Sequence, residues 1–371
     1  MKKNMIFHIP LPLDENPQSA SGLRPLKMID AFKNIGYDVY VVAGTAKERR
    51  KKINSIKKEI TKGVKFDFCY SESSTMPTLL TEKHHLPTAP FLDFGFFRFL
   101  KKRAIPLGLF YRDIHWLFEQ YKKGAPFFKR TVAKMFYHYD LLQYIKTLDI
   151  LFLPSLKMSE YIPFRKKFPK LFSLPPGCEM TGFKRDVSSK STDKLRLIYA
   201  GGIKPPLYDL SPLFKALKSN DKVCLNLICR QNELELTEKF YNIYQYKNLT
   251  VSCFDELKAK ETFLTSDIYV ILWKPFEYLK FAYPYKLFEA FTWELPVLTT
   301  EGTAVADFVR SNNIGWVVDH EREDIFSDTG KYFNELTEKI CNIKKIKNEN
   351  TWEARARFVV EKLNDNDEVK Q

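Results

Sequence analysis

Short apolar runs alternate along this chain with segments whose apolar residues recur every three to four positions. Lys2–Ile9 reads as a first strand. A Pro-rich loop, Pro10–Ser21, and Gly22 follow it, and then Leu26, Ile29, Ala31, Phe32 and Ile35 recur at helical spacing until Gly36 stops the pattern. Tyr37–Ala43 is a second strand. Strand, loop, helix, glycine and strand make a βαβ unit, which predicts a parallel sheet. The loop after the first strand then lies at the carboxyl edge of that sheet, where open α/β folds take their ligands. It carries no GxGxxG, so no dinucleotide fingerprint is read there. Ile105–Phe110 predicts a further buried strand, Phe136–Ile145 a helix, Asp149–Pro154 a short strand, and Phe172–Pro176 a crossing into a linker. The segment Met76–Asp93 reads as irregular, with His84 and His85 in a surface loop.

The pattern restarts at Leu195–Ala200, a strand ending in Gly201 and Gly202. The loop Ile203–Asp209 precedes a helix, Leu210–Lys218. Strand Val223–Cys229, helix Asn232–Tyr244, strand Leu249–Phe254, helix Glu256–Leu264 and strand Asp267–Trp273 come next. After a helix beginning near Tyr285 come strand Pro296–Thr300, helix Val305–Ser311 and strand Gly315–Asp319. This predicts a second doubly wound α/β domain. A last amphipathic helix covers Thr351–Leu363.

A length of 371 residues is too great for one ordinary core and agrees with two domains. The polar Thr181–Asp193 marks the boundary. The expected division is 1–185, 186–350, and a C-terminal helix and tail at 351–371 that packs back on the first domain. The net charge of +14 is uneven: residues 1–185 hold 33 Lys and Arg against 16 Asp and Glu, so the whole basic excess lies in the first half. Clusters stand at Lys47–Lys65, Arg98–Arg103, Lys122–Lys134 and Arg165–Lys170. One such run is an ordinary solvated face; several, interleaved with aromatics, predict an anionic surface as partner, lipid or nucleic acid. Six cysteines with no CxxC pair predict a reducing compartment without zinc or disulfides. No run reaches the ~18 apolar residues of a membrane span, and no signal peptide is read, so a cytoplasmic protein is expected.

The candidate chemistry gathers at the expected strand ends. Tyr285, Lys286 and Glu289 share one face of a helix's first turns. Lysine and helix amides attract an anion there, and the carboxylate accepts hydroxyl protons. Gly201, Gly202, Lys204, Arg230, Tyr283 and Pro284 complete a set suited to a diphosphate and a ribose: cations, close backbone approach and one carboxylate. In the first domain Arg112, Asp113 and His115 converge after a buried strand. Asp113 is equally suited to capping the following turn. No cluster with metal-ligand spacing is present in the sequence.

With Ser21-Gly22-Leu23-Arg24, Gly36-Tyr37-Asp38-Val39, Leu174-Pro175-Pro176-Gly177, Tyr199-Ala200-Gly201-Gly202, and above all Pro284-Tyr285-Lys286-Leu287-Phe288-Glu289-Ala290 followed by Pro296-Val297-Leu298, the chain resembles GT-B glycosyltransferases. The likeness is greatest to the GT4-type enzymes of bacterial capsule and lipopolysaccharide synthesis. The resemblance implies two Rossmann-like doubly wound domains facing across a cleft. It implies transfer of a sugar from a nucleotide diphosphate sugar, a UDP-sugar by expectation, to a glycan or lipid-linked acceptor, with retention and without a metal or cofactor. Glu289 matches the ribose-binding glutamate. Phe281 stands where the family often has a second glutamate, and Glu277 is out of register for that place. Only Lys204 follows the Gly-Gly turn, so Arg230 or Lys286 supplies the second charge on the diphosphate. Lys286 then has a catalytic role toward the leaving group, and Asp113 or His115 an acceptor-side one. The basic first domain implies a peripheral site at the inner face of the cell membrane. Two other readings stand beside this one: a basic nucleic-acid-binding protein, which lacks any recognised nucleic-acid motif, and a GT-B-shaped sugar-nucleotide epimerase.

Overall fold

A computed structural model describes residues 3–17, 19–118, 127–185, 194–205, 208–218, 220–254 and 256–365. The chain divides into two units, one running to Pro176 and resuming at Trp352, the other Gly177–Thr351.

The first unit is built on β1 (Lys3–His8), β2 (Tyr37–Val42), β3 (Phe68–Glu72), β4 (Leu107–Phe110), β5 (Ile150–Leu153) and β6 (Leu171–Ser173). They form one parallel sheet in the order β2-β1-β3-β4-β5-β6. β3, β4 and β5 are buried at every position, as a parallel sheet covered on both faces requires. Helices α1 (Ala20–Asn34), α2 (Ala46–Thr61), α3 (Leu92–Lys102) and α4 (Phe127–Thr147) connect them. Since β1 is flanked by β2 and β3, the connections leave it in opposite directions, and the switch point falls between β1 and β3.

The second unit repeats the plan with β7 (Leu195–Ala200), β8 (Val223–Cys229), β9 (Leu249–Cys253), β10 (Ile268–Ile271), β11 (Val297–Thr300) and β12 (Gly315–Val318), in the order β12-β11-β10-β7-β8-β9. Its switch point lies between β7 and β10. Its helices are α5 (Ser211–Lys218), α6 (Leu234–Tyr241), α7 (Glu256–Thr265), α8 (Tyr285–Thr292), α9 (Ala304–Asn312) and α10 (Thr329–Lys347).

The last helix, α11 (Trp352–Asn364), belongs to the first unit, where it lies against α1, β3 and β4. Gly108 makes its seat: a Cβ there would stand 2.7 Å from the Phe152 ring and 3.2 Å from the Leu363 side chain. Asn34 also donates to Glu353 at 2.9 Å.

Several elements differ from the sequence expectation. α1 begins three residues before Leu23, because Ser19 caps it and Gly22 and Pro25 are carried inside. α2 stands where a basic cluster alone is read. Only Arg49, Ile53 and Ile56 of this helix are buried, too few to mark a helical stripe. β3 ends in buried Ser71 and Glu72, which hide it from an apolar pattern. α3 interrupts the stretch read as irregular only at its end, and His84 and His85 hydrogen-bond backbone of the preceding loop and of Leu86. α10 carries buried Lys339 and Lys347 and so reads as a charged stretch.

The boundary also moves. Gly177–Arg185 packs in the second unit, not the first, because the Arg185 guanidinium donates to the carbonyls of Phe263, Ser266 and Trp293 at 2.8, 2.7 and 3.1 Å. The rest of the expected linker, residues 186–193, lies outside the described residues, as do 206–207 of the Ile203–Asp209 loop and 122–126 of the Lys122–Lys134 cluster.

Candidate functional site

The carboxyl ends of β7 and β10 and the start of α8 meet at the second unit's switch point. α8 begins where Pro284 ends the preceding turn, and no side chain caps its N-terminus. From the second position of the helix, Lys286 reaches back over the end of β7. Its Nζ stands 3.9 Å from the centroid of the Tyr199 ring, 5.2 Å from Trp273 and 5.6 Å from Tyr208. These rings attract a cation through their faces but accept no conventional hydrogen bond. The ammonium is buried and has no hydrogen-bond partner. Burial pushes Lys286 down to about 7; Glu289 and Glu233 pull it up, and Arg230 opposes them.

Gly201 creates the space for this lysine. Its φ is +141°, and a Cβ on it would fall 2.3 Å from both Cε and Nζ of Lys286. Gly202 lies beside it, its carbonyl taking the Tyr199 hydroxyl and its open face meeting the Tyr208 ring. The Gly-Gly pair therefore admits side chains, where the sequence reading gave it the role of letting backbone near a ligand.

Glu289 lies on the same helix face and accepts from the Tyr269 hydroxyl at 2.8 Å. Burial raises the Glu289 pKa; the Tyr269 bond and the Lys286 charge lower it, while Glu179 raises it further. Tyr285, beside them, is pushed well up by burial and then by Glu289. Arg230 ends β8, more than half exposed, with Glu233 3.6 Å away; Glu233 in turn accepts from the Ile203 amide at 3.3 Å. Lys204 is exposed on the same loop. The Tyr241 hydroxyl fixes that loop by bonding the Ile203 and Tyr208 carbonyls at 2.8 and 2.9 Å.

Three expectations are corrected or narrowed. Tyr283 does not face this cluster: its half-buried ring packs edge-on against Phe288 of α8 and Phe308 of α9, at 6.4 and 5.9 Å. Pro284 shapes the helix start with its φ of −73° and its carbonyl, which accepts from Leu287 at 3.2 Å. Phe281 is a buried core residue packed on Tyr278, and Glu277 pairs with Lys280 at 2.8 Å on the surface. The aromatic box of Tyr199, Tyr208 and Trp273, and the Tyr269 partner of Glu289, escape a reading by motif because Tyr199, Tyr269 and Trp273 sit in or beside an apolar strand and look like core, while Tyr208 stands in a loop with no motif around it.

In the first unit, Asp113 and His115 follow β4. Asp113 Oδ1 accepts from the His115 amide at 2.8 Å, and its other oxygen stands 3.5 Å from His115 Nδ1. The carboxylate thus serves the local turn, with the imidazole beside it; the His115 ring also meets Tyr137 edge-on at 6.1 Å. Among the described residues no group of three His, Cys, Asp or Glu stands where it could hold a metal ion, and no helix is long and apolar enough to cross a membrane.

No protein-family description and no curated protein matches the sequence. Solved structures do match over nearly the whole chain. A glycosyltransferase from Rickettsia africae superposes with a TM-score of 0.64 at 12% identity, covering 98% of this chain and 99% of its own. Anabaena Alr3699/HepE in complex with UDP gives 0.60 at 11%, covering 98% and 99%. WaaG, a glycosyltransferase involved in lipopolysaccharide biosynthesis, gives 0.57 at 14%, covering 97% and 99%. At such identities the likeness is one of architecture, and the chain has the GT-B fold, with two Rossmann-like α/β units of six parallel strands each.

Proposed function

We propose that the chain is a glycosyltransferase that takes a sugar from a UDP-sugar and passes it to a glycan or lipid-linked acceptor of a surface polysaccharide. The observation that carries this reading is the buried, unpartnered Lys286 ammonium at the uncapped start of α8. An unpaired buried cation is costly unless an anion completes it. A diphosphate supplies that anion, with the α8 amides, Lys204 and Arg230 around it. Glu289 accepts the ribose hydroxyls, and the Tyr269 bond favours its charged form against the effect of burial. As the bond from sugar to diphosphate breaks, negative charge grows on the departing phosphate, and Lys286 and Arg230 stabilise it electrostatically. This needs no metal and no cofactor. Structures of the same fold that hold UDP support the donor class.

Asp113 or His115 serves the acceptor hydroxyl, retention of configuration follows the family reading, and the transferred group is a hexosyl. The exposed Lys47, Arg50, Lys51 and Lys58 of α2 give the first unit a basic face for an anionic membrane, which accords with a peripheral enzyme at the inner leaflet. The deciding experiment is a panel of nucleotide sugars assayed for hydrolysis and transfer, with Glu289→Gln beside the native chain. Activity with a UDP-sugar that Glu289→Gln abolishes is the expected result. No turnover of any sugar nucleotide, or turnover that ignores Glu289, refutes the reading.

A further inference from the structure

A second charged cluster stands at the carboxyl ends of β3 and β4 in the first unit. Glu72, at the end of β3, is fully buried. Arg24, in the second turn of α1, donates from Nε to its Oε1 at 3.2 Å, and Arg112, after β4, from Nη2 to its Oε2 at 2.9 Å. Tyr70 donates to Oε1 at 3.0 Å. Two guanidinium groups thus share one carboxylate. Among the described residues Glu72 is the carboxylate that pairs with both guanidinium groups, so two largely buried positive charges face one buried negative charge.

The remaining donors are placed with equal care. The Arg24 guanidinium stands over the Phe110 ring, its carbon 3.6 Å from the centroid, and gives Nη2 to the Leu174 carbonyl. Its Nη1 has no partner although the residue is 94% buried, with 6% exposed. Arg112 gives Nη1 to the carbonyl of Ser21. That carbonyl is free because Pro25, four residues on, has no N–H to bond it. Arg112 Nε is also buried without a partner. The cluster therefore clasps the first turn of α1, a 15-residue helix with no acidic residue in that turn, and Arg112 keeps 12% of its side chain exposed as the way in.

We propose that the first sheet's carboxyl edge, at the ends of β3 and β4, binds a phosphate group held by Arg112, Arg24 and the start of α1. Its chemistry is that of a phosphate ester, borne either by a soluble molecule or by a lipid headgroup. A phosphate neutralises the surplus buried charge and fills guanidinium donors that are otherwise empty. The site stands whether or not the second unit takes a UDP-sugar.

The test is calorimetric titration of the full chain with inorganic phosphate. Saturable binding is expected that survives Lys286→Met, which empties the second unit's cation, and that Arg112→Gln weakens about tenfold or more. Glu72→Gln removes the competing carboxylate without changing shape and is expected to tighten phosphate, a sign that a merely structural cluster does not give. Where Arg112→Gln fails to fold, Arg112→Lys, which keeps the charge and loses the fork, replaces it and is expected to weaken binding. No saturable binding to the native chain, or binding indifferent to Arg112 and Glu72, overturns the proposal. Glycerol phosphate in solution and phosphatidic acid in phosphatidylcholine vesicles then separate the sources. The Arg112-dependent part of either signal supports the site, and its absence from both counts against it.

Discussion

Lys286 and Gly201 occupy complementary space: the lysine ammonium fills the position that any side chain at 201 would take, 2.3 Å from where its Cβ would stand. Gly201→Ala must push the lysine off the Tyr199 face and also hold a positive φ. The backbone strain costs about 1–3 kcal/mol. UDP affinity falls about tenfold or more as the charge-assisted contact is displaced. Urea unfolding and calorimetry of UDP binding read the two effects separately; unchanged UDP affinity would show that the ammonium does not meet the ligand.

Lys286 also predicts a proton linkage. Its pKa in the folded chain is about 7, well below that of a free lysine. Between about 7 and the ordinary lysine value near 10.4 the unfolded chain binds the extra proton, so this group makes stability rise with pH across that window. An anion beside it reverses the shift. At pH 8, UDP binding is expected to take up close to one proton, measured by calorimetry in buffers of different ionisation heat. Lys286→Met should abolish the uptake.

Tyr269→Phe removes the one hydrogen bond that lowers the Glu289 pKa from within β10. The carboxyl then ionises at higher pH. The acid limb of UDP binding, and of turnover, should move upward while the plateau above it changes little. A pH profile of binding checks this, and an unmoved acid limb would exclude Glu289 as the group that titrates.

Arg185 fastens the start of the second unit to its core through carbonyls in the last turn of α7, just after it and just after α8, with burial lowering its own pKa to about 10. Arg185→Met leaves those carbonyls without their donor and should cost about 3 kcal/mol. Denaturant unfolding followed by two probes should show the second unit melting early while the first keeps its midpoint.

Charge reversal of Lys47, Arg50, Lys51 and Lys58 on α2 touches no buried group. Each cation near an anionic leaflet contributes about 1 kcal/mol. The quadruple Glu variant should leave phosphatidylserine vesicles in a sedimentation assay while retaining its melting temperature. Retained binding would move the membrane face to another cluster, with the exposed Arg165–Lys167 next in line.

Much of the architecture was open to reading because buried parallel strands are continuous apolar runs, as in Ile150–Leu153 and Ile268–Ile271. Elements with polar interiors were not. β3 puts Ser71 and Glu72 inside, and α10 buries two lysines, so neither shows the period that marks a core-facing segment. The domain division by composition stops at a polar stretch, whereas Arg185 draws the chain before that stretch into the second core. In the candidate site, the spacing of Lys286 and Glu289 fixes their common helix face. What surrounds them is not local: Tyr199, Tyr269 and Trp273 come from β7 and from β10 with the loop after it, and only the strand order makes them neighbours. Tyr283, two residues before the helix, turns to the rings of Phe288 and Phe308 instead.

The return of α11 to the first unit makes the second unit an insert. Its two ends lie side by side, with the Cys178 amide donating to the Asn350 carbonyl at 2.7 Å and a β-bridge joining Cys178 to Thr351. During synthesis, therefore, the unit whose strands emerge first is the one completed last. The groove over Gly108 stays open until Leu363 arrives, after every residue of the second unit has left the ribosome.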